Sequence, residues 1–280
     1  MAEEYRENTA REEGLRPDDG PRVDAGLKRD EGLRRDDTGF GGLTLWQDPR
    51  AFCYGVDAVI LADYAARGIA GRRDAFERAA DLGCGTGIIP LILSHKTDLQ
   101  SILAFEIQKE SFDLTVRNVS ENGLQGRIMP LNMDVGRIPE LAKDFKGQLD
   151  LVVSNPPYMA RGKGIINDRS AKTTARHETT ADIWDFARSA AFLLREKGEF
   201  YLVHRPARLL DIFQALRDSG LEPKEVRMVC PDKWKAPNIV LVKAVKGGGP
   251  ELRFLENLYV YDEDEDKSYS EEIESIYERR

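Results

Sequence analysis

Cysteine, histidine and long apolar runs are scarce in this chain of 280 residues. The three cysteines, Cys53, Cys84 and Cys230, are odd in number and far apart, which argues against a disulfide framework or a structural zinc site. The three histidines are equally scattered, so the sequence supports neither a metal cluster nor a serine-type triad. We therefore expect buried thiols and no metal.

The sequence also lacks any run of about 18 apolar residues, and its first 40 residues contain no apolar stretch of the kind found in signal peptides. These absences indicate neither a membrane partner nor secretion, so the cytoplasm is the expected compartment. The length allows one or two domains. We predict one domain, with a monomer favoured over an oligomer.

The net charge of -8 is concentrated at the two ends of the chain. Residues 1–37 hold 12 acidic and 8 basic side chains, and residues 262–280 hold 9 acidic and 3 basic ones. The middle of the chain is therefore slightly positive, which permits an RNA partner without establishing one. We predict a charged, mobile segment at 1–37, a domain at 38–261 and an acidic tail at 262–280.

Strand-like and helix-like stretches alternate from residue 79 onward. A short strand near 43–46 and a helix from about residue 57 are predicted before them. The later strands are predicted near 79–82, 101–106, 127–131, 149–154, 198–203, 224–230 and 238–244, and the helices near 88–95, 108–122, 181–195 and 206–219. Such alternation predicts an α/β fold, a doubly wound, mostly parallel sheet of seven strands with helices on both faces. Ligands of such sheets bind beyond the carboxyl ends of the strands.

A glycine-rich turn, residues 83–87, follows the first strand of this series. Alternate glycines let the backbone turn tightly near a ligand, and the helix that follows offers free N–H groups. Alone, such a turn is also compatible with a nicotinamide or flavin site. With Asp81 it forms the pattern DxGxGxG, which resembles motif I of the class I S-adenosylmethionine-dependent methyltransferases. The resemblance implies a Rossmann-like sheet whose last strand is antiparallel.

Two further acids follow the next two strands, as that family requires. Glu106 ends the second strand, where its carboxylate can accept hydrogen bonds from both ribose hydroxyls, and Asp134 follows the third, where it can accept from the adenine amine. The cofactor-binding residues implied by the resemblance are Asp81, Gly83, Cys84, Gly85, Thr86, Gly87, Glu106, Asp134 and Asn155.

The segment Asn155-Pro156-Pro157-Tyr158 ends the fourth strand. A proline turn explains the two prolines but neither the asparagine nor the aromatic residue. The segment resembles motif IV of the amino-methyltransferases, which act on adenine N6, cytosine N4 or glutamine N5. An amide or aryl amine has a delocalised lone pair, so its hydrogens must be held by acceptors before it can attack a methyl group. The Asn155 side-chain oxygen and the Pro156 carbonyl can be those acceptors, the prolines hold the carbonyl rigidly, and Tyr158 can stack on the planar substrate.

A polar loop, residues 159–180, follows this motif, and we expect it to contact RNA phosphates. The candidate substrate-binding residues are Arg161, Lys163, Arg176 and His177. With the stretches at 52–62, 175–178 and 242–248, the chain resembles the tRNA1(Val) adenine-37 N6-methyltransferases, which implies S-adenosylmethionine as cofactor and tRNA as partner. The alternatives are a glutamine N5-methyltransferase acting on a protein and a non-catalytic RNA- or protein-binding module.

Overall fold

The computed structural model describes residues 32–51, 53–71, 76–158, 181–262 and 268–278. The strands are β1 (Arg34–Asp37), β2 (Thr44–Gln47), β3 (Arg78–Leu82), β4 (Ser101–Glu106), β5 (Ile128–Asn132), β6 (Leu149–Ser154), β7 (Leu194–His204), β8 (Leu221–Cys230), β9 (Ile239–Lys246), β10 (Arg253–Phe254) and β11 (Leu258–Tyr259). The α-helices are α1 (Val56–Ile69), α2 (Ile88–Lys96), α3 (Lys109–Glu121), α4 (Ile138–Leu141), α5 (Ile183–Leu193), α6 (Leu209–Asp218) and α7 (Glu271–Ile276).

The central sheet follows the order β8-β9-β7-β6-β3-β4-β5, with β10 and β11 each pairing along β8 at the edge. The strands β3 to β7 are parallel, whereas β9 is antiparallel to both β7 and β8. The predicted doubly wound sheet of seven strands with an antiparallel last strand is confirmed, and the two short strands extend it. The chain leaves β3 in one direction and returns to β6 on its other side, so the crevice of a doubly wound fold opens between these two strands.

Helices cover both faces of the sheet, because each buries an apolar stripe against it. One core lies under α1, α2 and α7, with Ile60, Leu91 and Ile273 all buried. The other lies under α5 and α6 and includes Phe186 and Ile212. The parallel strands are buried on both faces, which explains why they read as continuous apolar runs.

Two described elements, β1 and α7, lie within the predicted end segments 1–37 and 262–280. Strand β1 pairs antiparallel with β2, and the Gln47 side chain donates to Asp36, so a strand without apolar residues is held by hydrogen bonds. At the other end α7 is capped by Ser270 and buries Ile273 and Ile276. The remaining parts of the two predicted end segments, 1–31, 263–267 and 279–280, lie outside the described residues.

Smaller differences occur at element ends. The helix predicted to reach residue 195 ends at Leu193, where β7 begins without a connecting loop. The helix predicted from residue 206 begins with a 3₁₀ turn at Pro206–Arg208. None of the helices in the described part of the chain is long and apolar enough to cross a membrane.

Candidate active site

The predicted functional residues meet at the carboxyl edge, the edge of the sheet where β3 to β7 end. In the order of neighbouring strands, Asn155 follows β6, the glycine turn follows β3, Glu106 ends β4 and Asp134 follows β5. The register pairs Leu82 with Ser154, so the first residue of the glycine turn and Asn155 lie at the same level on adjacent strands. The two motifs therefore face one crevice although about 70 residues separate them.

The glycine turn has a left-handed backbone that only glycine adopts without strain. Gly85 has a φ of +57°, and a Cβ built there would meet no other atom of the described residues within 4 Å. Its amide donates to Glu106 Oε2 at 2.9 Å, and the amides of Gly83 and Cys84 both donate to the Phe105 carbonyl. The turn is thus fixed to β4, and it leaves open space beside Gly85 where a ligand can approach the backbone.

Helix α3 fixes the turn from its other side. The Thr115 hydroxyl donates to the Gly85 carbonyl at 2.7 Å, and the Asn118 side chain donates to the Thr86 carbonyl at 2.9 Å. Both polar side chains are fully buried. Neither residue was predicted from the sequence. They act as supports that preform the loop.

Asp81 is a fully buried carboxylate, and neither of its oxygens has a hydrogen-bond partner among the described residues. Burial, together with the nearby Glu106 carboxylate, raises the pKa of Asp81 well above its usual range. A buried acceptor pair of this kind calls for a donor from a ligand. S-adenosylmethionine carries an ammonium group, two ribose hydroxyls and an adenine amine, so this site fits that cofactor.

Glu106 and Asp134 each accept backbone hydrogen bonds at the neighbouring strand ends. Glu106 accepts from Gly85 and, through Oε1, from the Gln108 amide at 2.8 Å; burial raises its pKa, and these amides oppose the rise. Asp134 caps a 3₁₀ turn by accepting from the Gly136 amide at 2.8 Å. Both carboxylates are held in fixed orientations at the edge, and each oxygen can accept more than one hydrogen.

The end of β6 is equally rigid. The buried Ser154 hydroxyl donates to the Leu82 carbonyl at 2.8 Å, which ties the last residue of β6 to β3. Pro156 and Pro157 follow Asn155 and restrict the backbone that carries the Pro156 carbonyl. The acceptor pair predicted from the sequence therefore stands on a fixed part of the fold rather than on a long loop.

Tyr158 is bound more extensively than the sequence indicated. Its hydroxyl lies 2.5 Å from Asp57 Oδ2 and 3.0 Å from Asn155 Oδ1. The Arg205 guanidinium lies 4.9 Å from the ring centre, and the His204 ring meets it edge-on at 5.1 Å. Burial and the Asp57 charge raise the pKa of the Tyr158 hydroxyl, so it is a proton donor at neutral pH.

Sequence reasoning missed His204, which ends β7, Arg205, which follows it, and Asp57. His204 is buried, and burial together with the Arg208 charge lowers its pKa to about 4, so the ring is neutral at pH 7. Cys84 is a buried free thiol whose pKa is raised by burial and by Asp81. Among the described residues no cluster of His, Cys, Asp or Glu side chains is arranged to hold a metal ion. The four predicted substrate-binding residues, Arg161, Lys163, Arg176 and His177, lie outside the described residues.

The strand order, the glycine turn with its unpaired carboxylate and the adjacent Asn-Pro-Pro-Tyr segment define a class I methyltransferase that uses S-adenosylmethionine. Residues 63–219 match the family model "Methyltransferase small domain", and the chain belongs to this family.

Two sequence relatives of this chain share one name. The chain is 30% identical over 200 residues to a tRNA1(Val) (adenine(37)-N6)-methyltransferase of Tolumonas auensis, covering 70% of this chain and 77% of the relative. It is 26% identical over 205 residues to the protein of the same name from Parabacteroides distasonis, covering 73% and 81%. A solved structure described as a predicted O-methyltransferase from Agrobacterium tumefaciens superposes with a TM-score of 0.61 at 21% identity, over 79% of this chain and 95% of that one, and shows the shared fold.

Proposed function

We propose that this protein transfers a methyl group from S-adenosylmethionine to the exocyclic N6 of an adenine in RNA, namely a tRNA near its anticodon. The observation that carries the proposal is the register of β3 and β6, which sets Asn155 beside the glycine turn at one crevice. The name shared by the two sequence relatives supports adenine 37 of tRNA1(Val) as the acceptor. From the proposed tRNA substrate we infer a cytoplasmic location.

The cofactor supplies a methyl group on a positively charged sulfur, which is already activated for attack. The protein must therefore align the acceptor nitrogen and make its lone pair available. In our proposal the Asn155 side-chain oxygen and the Pro156 carbonyl accept hydrogen bonds from the two N–H groups of the adenine amine. This draws the nitrogen toward tetrahedral geometry and directs its lone pair at the methyl carbon. The nitrogen releases one proton to solvent after the transfer, so no strong general base is required.

The cofactor pocket is assigned to the neighbouring strand ends. Asp81 pairs with a donor group of the cofactor, Glu106 accepts from the ribose hydroxyls, and Asp134 accepts from the adenine amine of the cofactor. The backbone of the glycine turn, Gly83 to Gly87, would lie against the bound cofactor. The unpaired oxygens of Asp81 and the open space beside Gly85 support these roles.

Stacking of the acceptor base on Tyr158 stays a prediction with one added condition. Because the Arg205 guanidinium lies over the ring at 4.9 Å, stacking must use the ring face that Arg205 does not cover. Phosphate contacts by Arg161, Lys163, Arg176 and His177 also stay a prediction.

Incubation of the protein with labelled methyl donor and separate pools of tRNA, ribosomal RNA and protein tests the proposal. We expect label in the tRNA pool, recovered as N6-methyladenosine by nucleoside mass analysis. Label recovered on protein glutamine would replace the proposal with the glutamine N5 alternative. Binding of the cofactor without label in any pool would favour a non-catalytic binding module.

A further inference from the structure

The β8–β9 connection, residues 231–238 and here called the Trp234 loop, projects from the carboxyl edge. Strand β9 is antiparallel to both β7 and β8, so β8 runs parallel to β7 and ends at the same edge as the catalytic strands. The loop begins after Cys230 and ends before Ile239, and Asp232 Oδ1 shapes it by accepting from the Trp234 amide at 3.0 Å. It therefore stands on the side of the sheet where an acceptor must approach.

Trp234 is 80% exposed, although tryptophan normally buries most of its large apolar surface. Its two neighbours are Lys233, whose ammonium lies 4.8 Å from the indole ring, and Lys235, which pairs with Asp232 at 2.7 Å. Trp234 is the one exposed large apolar side chain of this loop. A single aromatic platform between two cations suits a nucleotide, whose base stacks and whose phosphate pairs, better than it suits an apolar protein surface.

Arg205 connects the Trp234 loop to the active site. Its Nη1 donates to the Asn238 carbonyl at the end of the loop at 3.0 Å, while its guanidinium lies over the Tyr158 ring. The loop is thus one side chain away from the motif that carries Asn155. A nucleotide on the loop would be a neighbour of the acceptor base rather than a distant part of the RNA.

We propose that the Trp234 loop is a nucleotide-stacking surface, which holds an unpaired base and its phosphate beside the acceptor adenine. This inference rests on the proposed function. An adenine that is splayed from an RNA loop leaves its neighbours without a stacking partner, and the exposed indole replaces that partner. Lys233 pairs with an adjoining phosphate, and Lys235 does so by exchanging its exposed ion pair with Asp232.

Equilibrium binding of an unmodified tRNA transcript, followed by fluorescence anisotropy at fixed salt, tests the stacking role. We expect Trp234→Ala to raise the Kd about fivefold to a hundredfold, while Trp234→Phe keeps most of the affinity. Phe254→Ala is the matched control, because Phe254 is 67% exposed but pairs at Val226, in the middle of β8 and away from the edge. Its Kd should equal that of the wild type, and none of the three variants should change cofactor affinity.

The salt dependence separates phosphate pairing from stacking. The double variant K233Q/K235Q should lower the slope of log Kd against log salt by about 1.4, whereas Trp234→Ala should leave that slope unchanged. A Trp234→Ala variant with wild-type affinity, in an enzyme that does methylate tRNA, would overturn the loop assignment alone and point to a protein partner. A wild-type enzyme that transfers no label to tRNA would instead refute the proposed function.

A second inference follows from the single proton of the Tyr158 hydroxyl. Its two neighbours, Asp57 Oδ2 at 2.5 Å and Asn155 Oδ1 at 3.0 Å, are both acceptors as placed. One proton cannot serve both, and the carboxylate takes it because charge-assisted hydrogen bonds are the stronger ones. A half turn of the Asn155 carboxamide then lets its NH2 group donate to the tyrosine oxygen. This rotation of the side-chain amide directs the Asn155 oxygen away from Tyr158.

We infer that Asp57 is a positioning residue, which acts through Tyr158 to keep the Asn155 oxygen toward the acceptor amine. Asp57 is itself fixed in the first turn of α1, where its Oδ1 accepts from the Ala58 amide at 3.0 Å. Without the carboxylate, the hydroxyl could donate to Asn155 and present the wrong amide edge to the substrate. The role is separate from the Trp234 loop and also rests on the proposed function.

A double-mutant cycle distinguishes this role from a purely structural one. Asp57→Asn and Tyr158→Phe should each lower kcat about tenfold to a hundredfold with an unchanged KM for the cofactor. Because both act on the same carboxamide, the double variant should lose no more than the worse single variant. A double variant whose loss of kcat equals the product of the two single losses would overturn the inference. A D57N enzyme with normal kcat would do the same. If the enzyme methylated a non-RNA substrate and gave the same double-mutant result, the positioning role of Asp57 would stand and the proposed RNA acceptor would be refuted.

Discussion

Two buried carboxylates lie at opposite ends of adjacent strands and have opposite surroundings. Asp150, near the amino end of β6, accepts from the backbone amides of Glu77 and Arg78 at 2.9 Å each and pairs with Arg195 at 2.5 Å. Asp81, near the carboxyl end of β3, has no partner on either oxygen within the part of the chain that the structure describes. The first carboxylate fastens strands together, whereas the second is left without the donors that a buried charge requires.

The difference separates structure from function within one sheet. A buried carboxylate without a partner destabilises a fold by on the order of several kcal/mol, and a chain retains such a group where a ligand completes it. The amino edge thus resembles an ordinary core, and the carboxyl edge is assembled for a ligand. In the sequence both residues are simply acids next to apolar strand residues, so the distinction appears only with the contacts.

The largest effect should come from the carboxyl edge, at Asn155. Asn155→Ala removes one of the two proposed hydrogen-bond acceptors for the substrate amine, so the rate of methyl transfer should fall at least about a hundredfold. Cofactor affinity, measured by calorimetry, should stay close to the wild-type value. A variant that retained most of its turnover would remove Asn155 from the chemistry.

Asp81→Asn should weaken cofactor binding about tenfold to a hundredfold, because a charge-assisted hydrogen bond contributes roughly 1.5–3 kcal/mol. Calorimetric titration of S-adenosylmethionine into the variant measures this change. Asp150→Asn provides the matched control, since it alters the same kind of group at the other edge. Equal affinities for all three proteins would erase the contrast between the two carboxylates.

The same two substitutions should affect stability in the reverse order, with a larger loss for Asp150→Asn than for Asp81→Asn. Asp150→Asn weakens three hydrogen bonds and should lower the free energy of unfolding by about 1–3 kcal/mol, as measured by urea denaturation of the ligand-free protein. Asp81→Asn removes a buried carboxyl group whose ionisation the fold penalises, so the variant should not be less stable than the wild type at neutral pH. Loss of stability in the Asp81 variant alone would contradict the account.

The pH dependence sharpens the same comparison. The pKa of Asp81 is raised in the folded state, so its contribution to stability is fully present below the unfolded pKa, about 3.9, and is lost as the pH rises through the folded value. The ligand-free wild type should therefore lose stability over this window by up to about 1.4 kcal/mol per pH unit. Unfolding curves of Asp81→Asn at the same pH values should lack that contribution.

Alanine substitutions at two glycines of the turn, Gly85 and Gly87, should give the smallest and most local effects. Both have positive φ, so an alanine costs about 1–2 kcal/mol at either position. A Cβ at Gly85 points into open space, whereas one at Gly87 would meet Thr115 Cγ2 at 3.0 Å. Gly85→Ala should therefore lose more cofactor affinity and Gly87→Ala more stability, as judged by calorimetry and thermal unfolding. Identical profiles for the two variants would mean that the space beside Gly85 is not the ligand side.

Much of the fold was predictable because its signals are local. The predicted limits of β4 and β6 coincide with the observed ones, since a buried parallel strand is an apolar run with polar ends. Helix α7 was missed although Ser270 and the acids after it are a typical helix start, because the high charge of the tail suggested disorder. Strand β1 contains only charged residues and depends on β2, so no local pattern announces it.

The site was predictable as far as its motifs reach. Asp81, Glu106 and Asn155 belong to short patterns that follow strands, so their convergence could be inferred. The bond between Asp57 and Tyr158 joins residues 101 positions apart, and the bond between Thr115 and Gly85 joins residues 30 apart. Such contacts arise from packing and carry no sequence signature. Packing also decides whether a strand-end carboxylate is paired, as at Asp150, or unpaired, as at Asp81.

A crystal structure of the protein with S-adenosylhomocysteine would test the central claim most directly. We predict the ligand over the glycine turn, with Asp81 and Glu106 oxygens about 2.6–3.2 Å from its donor groups and its sulfur facing Asn155. The cleft of about 460 Å³ near the amino edge, lined by residues that include Trp184, Phe192 and Lys246, should stay empty. A ligand bound in that cleft, with Asp81 still unpaired, would contradict the account.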